Sequence, residues 1–372
     1  MIPDLATVRA FLDDRHTDAA DAFIRTAAAV GAPDAAEDDA AARIPARRML
    51  ATMGSAGTFA AIGSRDLRAC CLAREALAAA SPLADAVFAL QALSAVALSL
   101  GGGQDDWVRR LLAGTAMGAF AITEHGAGSD VAAMTTMATR HRGRWVLTGA
   151  KTFISNAGIA DVYVVFAQTA PGAGKQGIAA FVVTGDANGM TCTPQVMSEP
   201  HPLGEVALVD CPGVLLAPPG EGVKVALATL DFVRPSVGAA ACGMAARALD
   251  EAIVHVKSRA QFGQPLSDFQ LVQDRIARMA LDLAAARLLV YRAAWAKDHG
   301  ADRITLEAAM AKAFATEAAQ RVVDGAVQLL GGRGVLARSP VDRLYRAVRA
   351  LRIYEGTTEI QHLLIAGQLL KR

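Results

Sequence analysis

The order of apolar and polar positions divides the chain into three stretches. Up to about residue 115 the sequence reads as helix. Ser81-Pro82 offers an N-cap followed by proline at the first helical position, and the apolar run behind it lasts until Gly101-Gly102-Gly103. Between about 117 and 220 the texture changes. GAFAIT, RWVLTG, VYVVFAQT, GIAAFVVTG and EVALVD are short β-branched or aromatic runs separated by Gly, Pro, Asp and Asn. They predict a mostly antiparallel, hairpin-built region, with His141-Arg142-Gly143-Arg144 as one turn. From about 222 the chain is helical again. Gly220 to Lys257 is nearly continuous helix former apart from Pro235, and Ser267-Asp268-Phe269-Gln270 has the pattern of a capping box opening a second helix. Thr305 to Leu330 is a third, with Leu306, Met310 and Phe314 four apart and Gly331-Gly332 as its stop. There is no internal repeat. Helix, sheet and helix in series predict an α+β chain: an N-terminal helical domain (1–116), a middle β-domain (117–221) and a C-terminal helical domain (222–372).

Composition narrows the function classes. The 372 residues hold 37 Lys+Arg against 36 Asp+Glu, so no broad basic field exists to attract nucleic acid. The longest apolar stretch, 83–100, carries Asp85, Gln91 and Ser94, which reads as too polar for a membrane span. The first residues lack the basic-then-apolar pattern of a secretory signal. Five cysteines (Cys70, Cys71, Cys192, Cys211, Cys242) form no CxxC pair, which argues against a disulfide framework or zinc site and for a reducing cytoplasm. Asp13-Asp14 and Glu37-Asp38-Asp39 read as solvated helix ends or loops.

Common catalytic motifs fail on inspection. GAGKQG at 172–177 has Gln176 where a phosphate loop needs Ser or Thr. Gly332-Arg333-Gly334 lacks the third glycine of a dinucleotide fingerprint. The histidines show no metal-ligand spacing, and neither GSAG at Ser55 nor ISNAG at Ser155 is a nucleophile elbow.

Four distant segments carry chemistry. The first is Phe120-Ala-Ile-Thr-Glu-His-Gly-Ala-Gly-Ser-Asp130, a strand entering a Gly-rich turn whose N–H groups and hydroxyls at Thr123 and Ser129 can hold an anion or the polar edge of a ring. In Lys151-Thr-Phe-Ile-Ser-Asn-Ala157, Phe153 and Ser155 are two apart on a strand and share a side of the pleat. A flat ligand flanked by Phe153 or an ordinary buried phenylalanine both fit. In Arg259-Ala-Gln-Phe-Gly-Gln-Pro-Leu266, an arginine before a tight turn suits a pyrophosphate or a plain helix end. Gln270 suits either a ligand or the capping box. In Ile353-Tyr-Glu-Gly-Thr-Thr-Glu-Ile-Gln361, Glu355 precedes the Gly356 turn into a helix, as a base or as a surface cap.

Together, in this order and spacing, these segments and QLLGGRG resemble the acyl-CoA dehydrogenase family from about residue 80 onward. The resemblance implies an N-terminal helical domain, a middle β-domain and a C-terminal four-helix bundle, with FAD as cofactor. It implies that Phe120, Ile122, Thr123 and Ser129 line the flavin, that Phe153 replaces a frequent Trp against the ring, and that Ser155 lies near flavin N5. Family dimers and tetramers share FAD across subunits. A homodimer or homotetramer is therefore expected, in which Arg259, Gln261, Phe262, Gln270, Gln328, Gly331 and Gly332 reach the neighbouring subunit's FAD. Thr357 and Glu359 match further FAD contacts, and Ser129, Asp231, Arg234 and Gly356 match substrate contacts.

Glu355 sits at the position of the family's catalytic base. Some members instead place the base before the Arg of an LxxxR segment; here that residue is Val233, which leaves Glu355. The implied reaction is α,β-dehydrogenation of an acyl-CoA to a trans-2-enoyl-CoA, with electrons passing to an electron-transferring flavoprotein. A flavin oxidase or monooxygenase, a dehydrogenase of carrier-protein thioesters, and a non-catalytic relative are the alternatives. His125, in place of the usual Pro after Thr-Glu, is expected to soften a turn near the substrate. An Arg for a distal carboxylate is absent from 81–100.

Overall fold

The computed structural model describes residues 3–31 and 38–371; Glu37 lies outside them. Helices occupy the chain up to Leu112, strands run from Gly118 to Ala217, and helices return from Glu221. By contact the chain forms two compact units: Met1–Ala35, Arg65–Asp85 and Arg234–Arg372 in one, Ala36–Ser64 and Ala86–Val233 in the other.

The second unit holds seven strands: β1 Gly118–Ala121, β2 Met137–His141, β3 Arg144–Ser155, β4 Val162–Gln168, β5 Ile178–Thr184, β6 Met190–Pro194 and β7 Leu203–Ala217. Their order is β1-β4-β2-β3-β7-β5, β6 pairs with β7, and β5 pairs back with β4, so the sheet closes. Among the described residues only the β1–β4 and β2–β4 pairings are parallel. The β2–β3 turn uses Arg142 and Gly143 at φ 51° and 82°, the left-handed pair that suits a tight hairpin. Leu147, Tyr163, Val165, Phe181, Val206 and Leu208 fill the interior. A buried amide ties the helix Pro82–Gly101 to β1. Gln91 Nε2 donates to the Leu111 and Ala116 carbonyls at 2.9 and 2.8 Å, and its Oε1 accepts from Gly118 N at 2.9 Å. The helix Asp39–Ser55 is fastened to the same unit by Arg47, which pairs with Asp161 at 2.7 Å.

The first unit is helical: Leu67–Ala80, the latter part of Glu221–Ser258, Gln270–Asp298, Thr305–Leu330, Pro340–Leu351 and Thr358–Leu370. Gly243 lies so close to the Glu75 carbonyl that a Cβ there would overlap it, which lets two helix backbones touch. Glu75 is fully buried and satisfied by Arg287 at 2.7 Å and the Tyr291 hydroxyl at 3.0 Å.

Three expectations are corrected. The helices Pro82–Gly101 and Glu221–Ser258 are both long and apolar enough to cross a bilayer by length and composition. It is burial within the protein, not polarity, that sets them apart from spans. The capping box at Ser267 does not form. Leu266–Asp268 is a 3-10 turn, and the next helix starts at Gln270 behind Phe269, which supplies no cap. Asp39 is buried rather than solvated.

Candidate functional site

In the β-unit, one buried ion pair joins the first two motif segments. Lys151, fully buried on β3, donates to Glu124 Oε1 at 2.7 Å and to the Ile122 carbonyl at 3.3 Å. Glu124 also accepts from Thr135 N at 2.6 Å, Thr135 Oγ1 at 2.8 Å and Thr136 N at 3.0 Å. Burial works against both charges. The Lys151 charge and these donors nevertheless hold Glu124 down at about 2. Thr152 N donates to the Thr123 carbonyl at 2.9 Å, so the two segments lie side by side.

Around this pair the candidate residues diverge. Phe120 is buried with its ring 4.9 Å from that of Phe166, so its ring belongs to the core. Ile122 and Thr123 are half-buried, and Ser129 is exposed. The strand is irregular here: the β3–β7 register slips between Lys151 and Ile154, and Phe153 has φ 56°. Phe153 is 61% exposed and Ser155 half-buried, while Ile154 between them is buried. The turn at His125 is not soft. Glu124 and Ala127 exchange both backbone hydrogen bonds, and His125 Nε2 lies 2.8 Å from Glu205 Oε2.

These residues fit a flat ring with a polar edge. A bulky residue held in the left-handed region costs about 1–2 kcal/mol. Burial of the Phe153 ring in its own unit does not offset that cost, since the ring is largely exposed. Gln195 maintains the conformation, taking Phe153 N at 3.0 Å and donating to Thr152 Oγ1 at 2.9 Å.

In the helical unit, Glu355 lies on the loop between Pro340–Leu351 and Thr358–Leu370. It has φ 55°, and Gly356 has φ 92°. The loop is pinned through its carbonyls. Glu355 O accepts from Arg234 Nε at 3.2 Å and Gln361 Nε2 at 3.4 Å; Gly356 O accepts from Lys312 Nζ at 2.7 Å and Gln361 Nε2 at 3.0 Å. Thr357 caps the following helix, its hydroxyl accepting from Ile360 N at 3.3 Å, and Glu359 is exposed in the first turn.

Glu355 Oε2 is buried and has no hydrogen-bond partner among the described residues. Burial raises its pKa, against the pull of Arg74, Lys312 and Arg234. Lys312 is fully buried on Thr305–Leu330, and that burial lowers it to about 8 although Glu355 favours its charge. Arg74, also fully buried, grips Asp85 at 2.7 and 2.9 Å and donates to Ser236 Oγ at 3.1 Å.

The other candidates are surface residues of this unit. Arg259, Gln261 and Gln270 are exposed, and Phe262 is 94% exposed on the turn between the two-residue strands Ala260–Gln261 and Gln264–Pro265. Gln328, Gly331 and Gly332 are exposed where Thr305–Leu330 ends. Asp231, half-buried on Glu221–Ser258, is instead part of the β-unit.

Two family models match: "Acyl-CoA dehydrogenase, middle domain" over residues 119–211 and "Acyl-CoA dehydrogenase, C-terminal domain" over 220–370. The probable acyl-CoA dehydrogenase FadE25 of Mycobacterium tuberculosis is 37% identical across 97% of this chain and 96% of that protein. The chain belongs to the acyl-CoA dehydrogenase family. It is an oxidoreductase acting on CH–CH groups.

Solved structures agree with the family fold. A chain from the Acidaminococcus fermentans electron transferring flavoprotein work has TM-score 0.91 at 33% identity, covering 97% of this chain and 99% of that one. Butyryl-CoA dehydrogenase from Megasphaera elsdenii has TM-score 0.89 at 32% identity over 96% and 99%. Glutaryl-CoA dehydrogenase from Mycobacterium smegmatis in complex with FADH2 has 0.88 at 26% identity over 98% and 96%.

In this acyl-CoA dehydrogenase, reading the sequence missed Lys312, Arg74 and the Glu124–Lys151 pair. Lys312 sits at a core-facing step of an otherwise alanine-rich helix, the one signal that could have marked it. Lys151 opens the Lys151–Ala157 segment, and nothing in the sequence links it to Glu124, 27 residues earlier.

Proposed function

We propose that the protein is an FAD-dependent acyl-CoA dehydrogenase that forms a trans-2-enoyl-CoA, with Glu355 as the base that takes the α-proton. The observation that carries this reading is the Glu355 carboxylate. Its Oε2 is buried and unpartnered among the described residues, on a left-handed loop whose carbonyls are tied to Arg234, Lys312 and Gln361. A carboxylate oxygen with no structural hydrogen bond to make, on a loop held by its own backbone, is free to meet a substrate proton.

The chemistry needs such a group. An α-proton beside a thioester is weakly acidic, so the base must be desolvated and close. Burial raises the Glu355 pKa and makes it a stronger base, while Arg74, Lys312 and Arg234 keep it able to ionise. Glu355 accepts the α-proton, and the double bond forms as the β-hydrogen leaves as hydride. FAD, when bound, supplies the two-electron acceptor for that hydride. The family resemblance assigns polarisation of the thioester carbonyl to the Glu355 backbone N–H.

For the cofactor, Phe153 would cover the ring and Ser155 its edge, with Ile122, Thr123 and Ser129 alongside. Arg259, Gln261, Phe262, Gln270, Gln328, Gly331 and Gly332 are exposed, as residues reaching a neighbouring subunit's FAD would be in a homodimer or homotetramer. Thr357 and Glu359 complete the set. By the same resemblance Asp231, Arg234 and Gly356 would be substrate contacts. Electrons would leave to an electron-transferring flavoprotein, and the free cysteines suit the cytoplasm.

The test is the visible flavin spectrum of anaerobic protein titrated with acyl-CoAs of varied chain length. Bleaching by a saturated acyl-CoA supports the reading and names the substrate class. A flavin that stays oxidised across the series, or protein that retains no flavin, sinks it.

A further inference from the structure

We propose that His201 is a positioning residue that fixes the direction of the Ser155 hydroxyl. The proposal rests on the reading that Ser155 meets the edge of the flavin ring. His201 lies just before β7, and its backbone N–H donates to Oδ1 of the buried Asp39 at 3.1 Å. One turn further along the same helix, Arg43 donates to the carbonyls of Ala157 at 2.6 Å and Leu203 at 3.4 Å. Asn156 N donates to the Pro202 carbonyl at 2.7 Å. The end of β3 and the approach to β7 are thus stitched together, and the imidazole is aimed by its own backbone.

Its Nε2 lies 2.7 Å from Ser155 Oγ. Its Nδ1 is buried and has no hydrogen-bond partner among the described residues. Burial, with the Arg43 charge second, lowers His201 to about 4, so the ring is neutral at physiological pH and carries one N–H. On Nδ1 that hydrogen would be a buried, unpaired donor, the rarer and costlier orphan; a bare ring nitrogen is the lesser loss.

The hydrogen therefore sits on Nε2 and is donated to Ser155 Oγ. One Ser155 lone pair is filled, and the hydroxyl proton cannot point at His201. The proton and the second lone pair remain for a ligand. A hydroxyl so held suits a ring-edge nitrogen that accepts in one redox state and donates in the other. Nothing in the Phe153–Ser155 motif itself encodes this partner, which comes from 46 residues downstream.

Ser155→Ala, His201→Phe, His201→Gln and the Ser155→Ala/His201→Phe double variant, each with FAD bound, test the proposal. The readouts are the bound-flavin spectrum, the FAD dissociation constant and the two-electron midpoint potential. Ser155→Ala is expected to move the oxidised–reduced equilibrium about tenfold, or about 30 mV. His201→Phe should move it in the same direction, and His201→Gln, which keeps an N–H donor, should recover most of that change. The double variant should go no further than Ser155→Ala. A silent Ser155→Ala overturns the reading that this hydroxyl meets the flavin, and the proposal with it. A shift in Ser155→Ala with His201→Phe and His201→Gln both silent, or additive shifts in the double variant, overturns the proposal alone. If His201→Phe does not fold, His201→Asn decides, because its shorter amide falls back from Ser155. A shifted potential supports the proposal and a wild-type potential overturns it.

Discussion

Lys312 Nζ donates to the Gly356 carbonyl at 2.7 Å, one residue past Glu355. A fully buried ammonium in a helix interior costs free energy unless it is paired, and here it is satisfied by the loop that bears the proposed base. The same cation opposes the burial that raises Glu355.

Replacing it should therefore act on the base rather than on the fold alone. Lys312→Met removes a cation from beside Glu355, so the Glu355 pKa should rise further. The rising limb of the kcat/KM pH profile should move to higher pH. Activity at neutral pH should fall on the order of tenfold, the size of one charge-assisted hydrogen bond of about 1.5 kcal/mol. Lys312→Arg, which keeps the charge, should return the limb toward its wild-type position. An unmoved limb in Lys312→Met would show that the lysine serves only packing.

Glu355→Gln keeps the shape and removes the base. The variant should retain FAD and lose substrate-driven flavin reduction by about 10²–10⁴, the usual worth of a positioned base. It carries a stability signature as well. Because burial raises the folded-state pKa of Glu355 above its ordinary 4.5, the contribution of this one group to stability is fullest below about 4.5 and is lost as pH rises through the raised value. Glu355→Gln escapes this, so its melting temperature should gain on wild type between acidic and neutral pH. A melting difference that does not change with pH would contradict the burial of this carboxylate.

The helix Thr305–Leu330 was legible to the residue, because a long apolar repeat and a glycine stop agree about its ends. The role of Lys312 was not, because its partner lies 44 residues further on. Phe153 shows the same limit in a strand. Its exposure was open to reading, but the slip against β7 and the left-handed φ depend on how a distant strand pairs. Ser267 had the right neighbours for a capping box, yet a 3-10 turn took up those residues first. Glu355 was found through motif resemblance; its burial and the cations around it come from three other helices.

The Glu124–Lys151 pair should set the acid limit of the β-unit. Glu124 is held at about 2 against an ordinary 4.5, so its contribution is present above about 4.5 and is lost as pH falls toward about 2. Glu124→Gln leaves Lys151 buried without its counter-charge and should cost about 3–5 kcal/mol at neutral pH. Chemical unfolding at a series of pH values would show the gap to wild type closing through that acid window. A gap that stays constant down to pH 2 would mean that the loss is one of packing, not of charge.

Arg74 and Asp85 separate stability from catalysis. The two are fully desolvated and bidentate, so removing one partner strands the other: Asp85→Ala should cost about 3–5 kcal/mol. Arg74→Met with Asp85→Leu replaces the pair with apolar volume and should restore most of that stability. The double variant nevertheless lacks the cation that most opposes the raised pKa of Glu355, and the accompanying loss of Asp85, which raises that pKa, is the smaller effect. It should fold and hold FAD, yet need higher pH than wild type to reach half-maximal reduction by substrate. Urea unfolding together with a pH series of anaerobic flavin reduction reads both properties on one preparation. If stability returned and the pH dependence matched wild type, Arg74 would be a structural counter-ion with no hold on the base.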